Sequence, residues 1–194
     1  MTKTFAKLTF LAAALAATPA LAHVGAGSAS GFASGFTHPL LGPDHLLAMV
    51  AVGLWAGLVG GAALWVWPAV FVGTMVVGGI LGMSGVALPL VEPAILASVI
   101  VLGVFAAFAF KAPVWLGGIL AGAFALFHGH AHGTEIPAAA TGIEYLAGFA
   151  VATALLHGIG IAAVTAAGRF GVSSMVARAL GAAVAVGGTV LALG

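Results

Sequence analysis

Apolar runs of about 20 residues, the length that crosses a hydrocarbon core of roughly 30 Å, follow one another through almost the whole of this chain. About six can be laid out, near His45 to Ala62, Trp67 to Leu88, Pro93 to Phe110, Val114 to His128, Ile143 to Ala166 and Ser174 to Leu193. The composition leaves no aqueous alternative. Of 194 residues 63% are hydrophobic and 5% charged, whereas a soluble domain carries about a quarter charged residues. The expected fold is therefore all-α, a polytopic membrane protein with a six-helix transmembrane domain over residues 44–194.

The first 22 residues read as a cleavable signal peptide. Lys3 and Lys7 precede a short apolar core, Leu8 to Ala17, and Ala20-Leu21-Ala22 fits the small-x-small cleavage rule. About ten apolar residues before Pro19 are too few to span a bilayer. Cleavage leaves His23 as the new amino terminus and a periplasmic segment, 23–43, whose Gly25 to Gly35 stretch is rich in glycine and serine. Six crossings then place Lys111, Arg169 and Arg178 on the cytoplasmic side, as the positive-inside rule asks. Asp44, Glu92, Glu135 and Glu144 fall outside, with His23, His38, His45, His128, His130 and His132. The expected location is a bacterial inner membrane, with both mature termini periplasmic.

Two segments carry metal chemistry. In His38-Pro39-Leu40-Leu41-Gly42-Pro43-Asp44-His45, Pro43 suits the first turn of a helix, and three ligand types gather at its mouth. Asp44 either binds an ion or caps the helix. Met49, four residues past His45, is a soft thioether and reads as packing. In His128-Gly129-His130-Ala131-His132-Gly133-Thr134-Glu135, His128 and His132 share a helix face, whereas His130 faces away unless the helix frays at Gly129. The outward carboxyl end of that helix favours a cation. With no cysteine in the chain, any metal uses nitrogen and oxygen, a set suited to nickel, cobalt, zinc or copper. A His-rich loop that only scavenges metal is the competing reading.

Other polar positions are more open. Glu92, between Pro89 and Pro93, is a ligand or a solvated acid; Glu144 complements a helix amino terminus. His157 lies thirteen residues past Glu144, about 20 Å deeper at 1.5 Å per residue. At that depth an imidazole either lines an ion path or is neutral and bonded to a backbone carbonyl. Tyr145, Trp65, Trp67 and Trp115 sit near run ends, where amphipathic rings favour the interface. The glycine sets Gly53/Gly57/Gly61, Gly78/Gly82 and Gly118/Gly122 are spaced for close helix packing.

HPLLGPDHLLAM, residues 38–49, resembles the HupE/UreJ family of membrane proteins, associated with nickel supply to hydrogenases and ureases. The leader, the six spans and the later His132-Gly133-Thr134-Glu135 extend the resemblance over essentially the whole mature chain. Larger nickel and cobalt transporters leave four residues between histidine and Asp-His; here there are five. The resemblance implies that His38, Asp44, His45, His132 and Glu135 handle the metal, with Phe71 and Glu92 as further family positions and Phe71 as a steric gate or wall.

These readings converge on a secondary permease or channel importing nickel first, cobalt next, with zinc compatible, and with no prosthetic group. A membrane metal sensor or store is the alternative. Gly82-Met83-Ser84-Gly85 also resembles the GxSG of rhomboid proteases, with His157 as a conceivable base. Metal ion and lipid are the expected partners, a link to hydrogenase or urease maturation follows from the resemblance, and homo-oligomers are compatible with the chain. The mature chain holds three bases against four acids, which disfavours nucleic acid.

Overall fold

In lipid every backbone N–H and C=O must be paired within the protein, so apolar runs of this length have helix as their open solution. The computed structural model, which describes residues 31–136, 140–169, 171 and 174–194, is helical throughout its regular structure. The signal peptide and His23 lie outside the described residues. In order the helices are α1 (Gly31–Leu41), α2 (Pro43–Val59), α3 (Ala63–Met83), α4 (Val91–Ala107), α5 (Val114–Thr134), α6 (Gly142–Arg169) and α7 (Met175–Leu193). By length and composition α3, α5, α6 and α7 can each cross a membrane. α1 and α2 meet at a bend of 82° and qualify together, as a broken span or a re-entrant loop.

The helix α1 falls within the segment 23–43, where the sequence reading places no helix. Its Gly31 and Gly35 are buried, and a Cβ on Gly35 would meet the Tyr145 backbone of α6, while one on Gly148 of α6 would meet the backbone of Phe32. Small residues thus bring α1 and α6 into backbone contact, which composition alone could not announce.

α2 is the central helix. His45, Ala48, Met49 and the continuous stretch from Ala51 to Ala56 are all buried, against α3, α4, α6 and α7. α3 and α5 lie side by side and run the same way: Trp67 Nε1 donates to Val114 O at 2.8 Å near one end, and Gly82 faces Gly133 near the other. α4 must therefore carry the chain back between them. Its 17 residues make about 26 Å, at the short limit of spanning length. Arg178 Nε closes the far end by donating to Ala107 O of α4 at 2.8 Å, which occupies a carbonyl left open at a helix terminus.

The two ends of the bundle differ in charge. Asp44, Glu92, Glu135 and Glu144 belong to one end, at the starts of α2, α4 and α6 and just past α5. Lys111, Arg169 and Arg178 belong to the other. Of the rings expected at interfaces, Trp65 and Trp115 are exposed, but Trp67 and Tyr145 are fully buried. Trp67 packs on Trp55 with ring centroids 4.1 Å apart, and each indole N–H reaches a carbonyl beside the connection between α4 and α5. Satisfied donors of this kind let aromatic rings enter the core.

Candidate metal site

His128 and His132 are one turn apart on α5, and each is followed by a glycine. Those glycines seat the helix: a Cβ on Gly129 would strike the Met75 backbone, and one on Gly133 the Gly79 backbone. With α3 pressed against that face, the two imidazoles on the neighbouring face are held toward α1, α2 and α6.

His38 and His45 come to them from the two sides of the bend. Gly42 is extended at φ −87° and ψ 112°, and Pro43 starts α2, so the chain turns sharply between the two histidines. The resulting rings form a column. His38 and His132 are 4.6 Å apart, His132 and His45 4.1 Å, and His45 and His128 4.6 Å between centroids. Phe149 lies 4.0 Å from the His132 ring, and Tyr145 5.9 Å from that of His38. Phe71 follows, 5.9 Å from His128 and 5.0 Å from His157. The phenyl ring is thus in contact with both imidazoles, at mid-helix on α3.

At the accessible end of the column His38 Nε2 is 3.7 Å from Glu135 Oε2. One donor atom each from His38, His132 and Glu135 can be chosen within 4.8 Å of one another, a spacing that one divalent ion can bridge. His38 and Glu135 are accessible there, whereas His132 is 1% exposed.

Asp44 is not the helix cap. The cap position is Gly42, and Asp44 Oδ1 accepts from the His45 backbone N–H at 2.8 Å and stands 2.9 Å from His45 Nδ1. A carboxylate can only accept, so Nδ1 carries the proton and Nε2 is left with its lone pair free. Carboxylates orient metal-binding histidines in this manner.

The column is lined by buried polar atoms without a partner among the described residues: His45 Nε2, His128 Nδ1, Tyr145 Oη and both nitrogens of His132 and His157. Such atoms are costly in hydrocarbon, and the few that natural proteins keep mark places where a ligand or water is received. Imidazoles brought together from four helices, with a carboxylate at the mouth, suit a borderline divalent ion. For His157 the carbonyl-bonded alternative is not what the structure holds, since neither ring nitrogen is paired.

Not every expected residue joins. His130 Nε2 is 2.7 Å from Val86 O, bonded to the connection after α3 and outside the column. Glu92 is exposed in the first turn of α4 and forms no ion pair among the described residues. Met49 is buried core. Ser84 is exposed at the end of α3 with its hydroxyl 2.7 Å from Ile80 O, so it forms no dyad with His157. Ser98 and Phe149 were not legible: each is an unremarkable member of an apolar run, and only tertiary packing brings them to the imidazoles.

Fold and site together define a polytopic membrane protein with a histidine column that opens at one end of its helices. The chain belongs to the HupE/UreJ family. The family model described as HupE / UreJ protein matches residues 11–191. The chain is 47% identical over 194 residues to "Protein HupE" of Rhizobium leguminosarum bv. viciae, covering 98% of this chain and 99% of that one. No solved structure matches it significantly.

Proposed function

We propose that the protein is a secondary permease or channel of a bacterial inner membrane that takes a divalent transition-metal ion, nickel first and cobalt next, from periplasm to cytoplasm. The observation that carries this reading is the column itself. It starts at the accessible His38–Glu135 pair and continues through His132, His45 and His128 to Phe71 and His157 at mid-span. A surface store needs the first of these contacts and not the last. The family's association with nickel supply to hydrogenases and ureases favours the same cargo and links the protein to their maturation.

His38, His132 and Glu135 capture the ion, with His45 held ready by Asp44, and loss of water is offset by imidazole and carboxylate donors. Phe71 is the gate, because a phenyl ring offers a cation a π-face but no lone pair, and the ion must pass it to reach His157. No nucleotide-binding motif of the Walker A type is present in the sequence. The drive is then the membrane potential, about 4.6 kcal/mol for a divalent ion at 100 mV, or coupled protons.

The test is uptake of radiolabelled nickel into proteoliposomes containing wild type, His38→Ala or His132→Ala, with cobalt and zinc as competitors. Uptake by wild type, lost in both variants at equal amounts of folded protein, is the expected result. Vesicles that stay empty while equilibrium binding persists would make the protein a sensor or store instead.

A further inference from the structure

His128 is fully buried, and its two ring nitrogens have different surroundings. Nε2 lies 2.8 Å from Ser98 Oγ of α4, whereas Nδ1 has no partner among the described residues. The hydroxyl decides which nitrogen carries the proton. Ser98 Oγ is also 2.6 Å from Ile95 O. Two oxygens so close need a hydrogen between them, and a carbonyl has none to give, so the serine proton lies on that line. A hydroxyl has one proton. Toward His128 it presents only a lone pair, and Nε2 must therefore be the N–H donor. Nδ1 is left with its lone pair bare inside the column, on a ring 4.6 Å from His45 and 5.9 Å from Phe71.

The arrangement mirrors the one at His45 with the nitrogens exchanged. There the Asp44 carboxylate accepts from Nδ1–H and leaves the Nε2 lone pair free; here a hydroxyl oxygen accepts from Nε2–H and leaves the Nδ1 lone pair free. A second acceptor buried beside His128 would be charged if it were a carboxylate, and costly so deep among helices. Serine supplies the same orientation without charge.

We infer that Ser98 is a positioning residue for ion transfer: it holds His128 in the tautomer whose Nδ1 receives the divalent ion between the outer site and Phe71. This rests on the conduit reading above. Removing the hydroxyl leaves Nε2–H unpaired in an apolar setting, so the ring turns or changes tautomer, and the ion loses its inner ligand while the outer three residues are untouched. Losses of about 10- to 100-fold follow removal of partners of this kind.

The experiment uses the full chain in lipid, with 15N-labelled histidine and His128 assigned by comparison with His128→Gln. Wild type should show His128 protonated at Nε2, and Zn2+, a diamagnetic probe, should shift Nδ1. Ser98→Ala should change the tautomer population and slow nickel uptake at least about tenfold, with outer-site binding and the amount of folded protein retained. Ser98→Thr, which keeps the hydroxyl, should restore most of the uptake. The inference is overturned if wild-type His128 is protonated at Nδ1, if Zn2+ leaves Nδ1 unmoved, or if Ser98→Ala transports like wild type. Empty wild-type vesicles would sink the conduit reading and the transfer role with it, whereas the zinc shift at Nδ1, read on the same protein without transport, still upholds or overturns the ligand role of His128.

Discussion

Among the described residues both close contacts of Asp44 are to His45. Its value to the site is orientation, so replacing it by asparagine should weaken metal binding about 10- to 100-fold without unfolding the protein. An asparagine can present either its oxygen or its amide to Nδ1 and no longer dictates the tautomer. Equilibrium dialysis against Ni2+ measures the effect, and an unchanged affinity would mean that His45 is placed by packing alone. The pairing was half legible in the sequence. Adjacent residues on a helix diverge by about 100°, which argues against one ion bound by both, but the alternative in which one holds the other depends on the local geometry of the first turn. The i, i+4 pair His128 and His132 was legible in full, because helical period alone puts them together. Ser98 was not, since its partner is 30 residues away and no local pattern connects them.

Two helices meeting backbone to backbone decide where the column points. Gly78 and Gly82 of α3 face Leu126, His130 and Gly133 of α5, and Gly129 faces Met75. Gly129→Ala should therefore force α3 and α5 apart, lowering stability by about 1–3 kcal/mol and dispersing the imidazoles, with loss of metal binding. Gly118→Ala is the control on the same helix. Its Cβ would meet only side-chain atoms at 3.9–4.0 Å, ordinary contact, so melting in detergent should be unchanged or slightly higher as alanine favours helix. Equal damage from both would show that the glycines matter for flexibility rather than approach. Spacing in the sequence marked Gly78/Gly82 and Gly118/Gly122 alike, and only the first pair lies against backbone. The long apolar helices were legible because hydrophobic length is read directly. α1 was hidden, because Gly31, Gly35 and their neighbours acquire a reason to be helical only when α6 is beside them.

Orientation in the bilayer gives the column its direction, and the sequence carries that through charge. The carboxylates and the accessible histidine lie at one end, and Lys111, Arg169 and Arg178 at the other. If the basic end faces the cytoplasm, as basic connections do, a potential negative inside drives a divalent ion from His38 toward His157. If it faces outward the same field opposes entry, by about 4.6 kcal/mol at 100 mV. The chain has no cysteine, so single cysteines report sidedness without background. Ser84 is exposed at the site end and Lys111 at the basic end. In intact cells, a membrane-impermeant maleimide should modify Ser84→Cys in the outer face of the inner membrane. Lys111→Cys should react only after the membrane is permeabilised. The reversed pattern would turn the mouth of the column to the cytoplasm and make export, driven by something other than the potential, the reading to pursue. Labelling of both in intact cells would mean that the variants no longer hold one topology, and the same assay on Arg178→Cys, whose removal also frees the Ala107 carbonyl, would show whether the basic residues fix that topology or only accompany it.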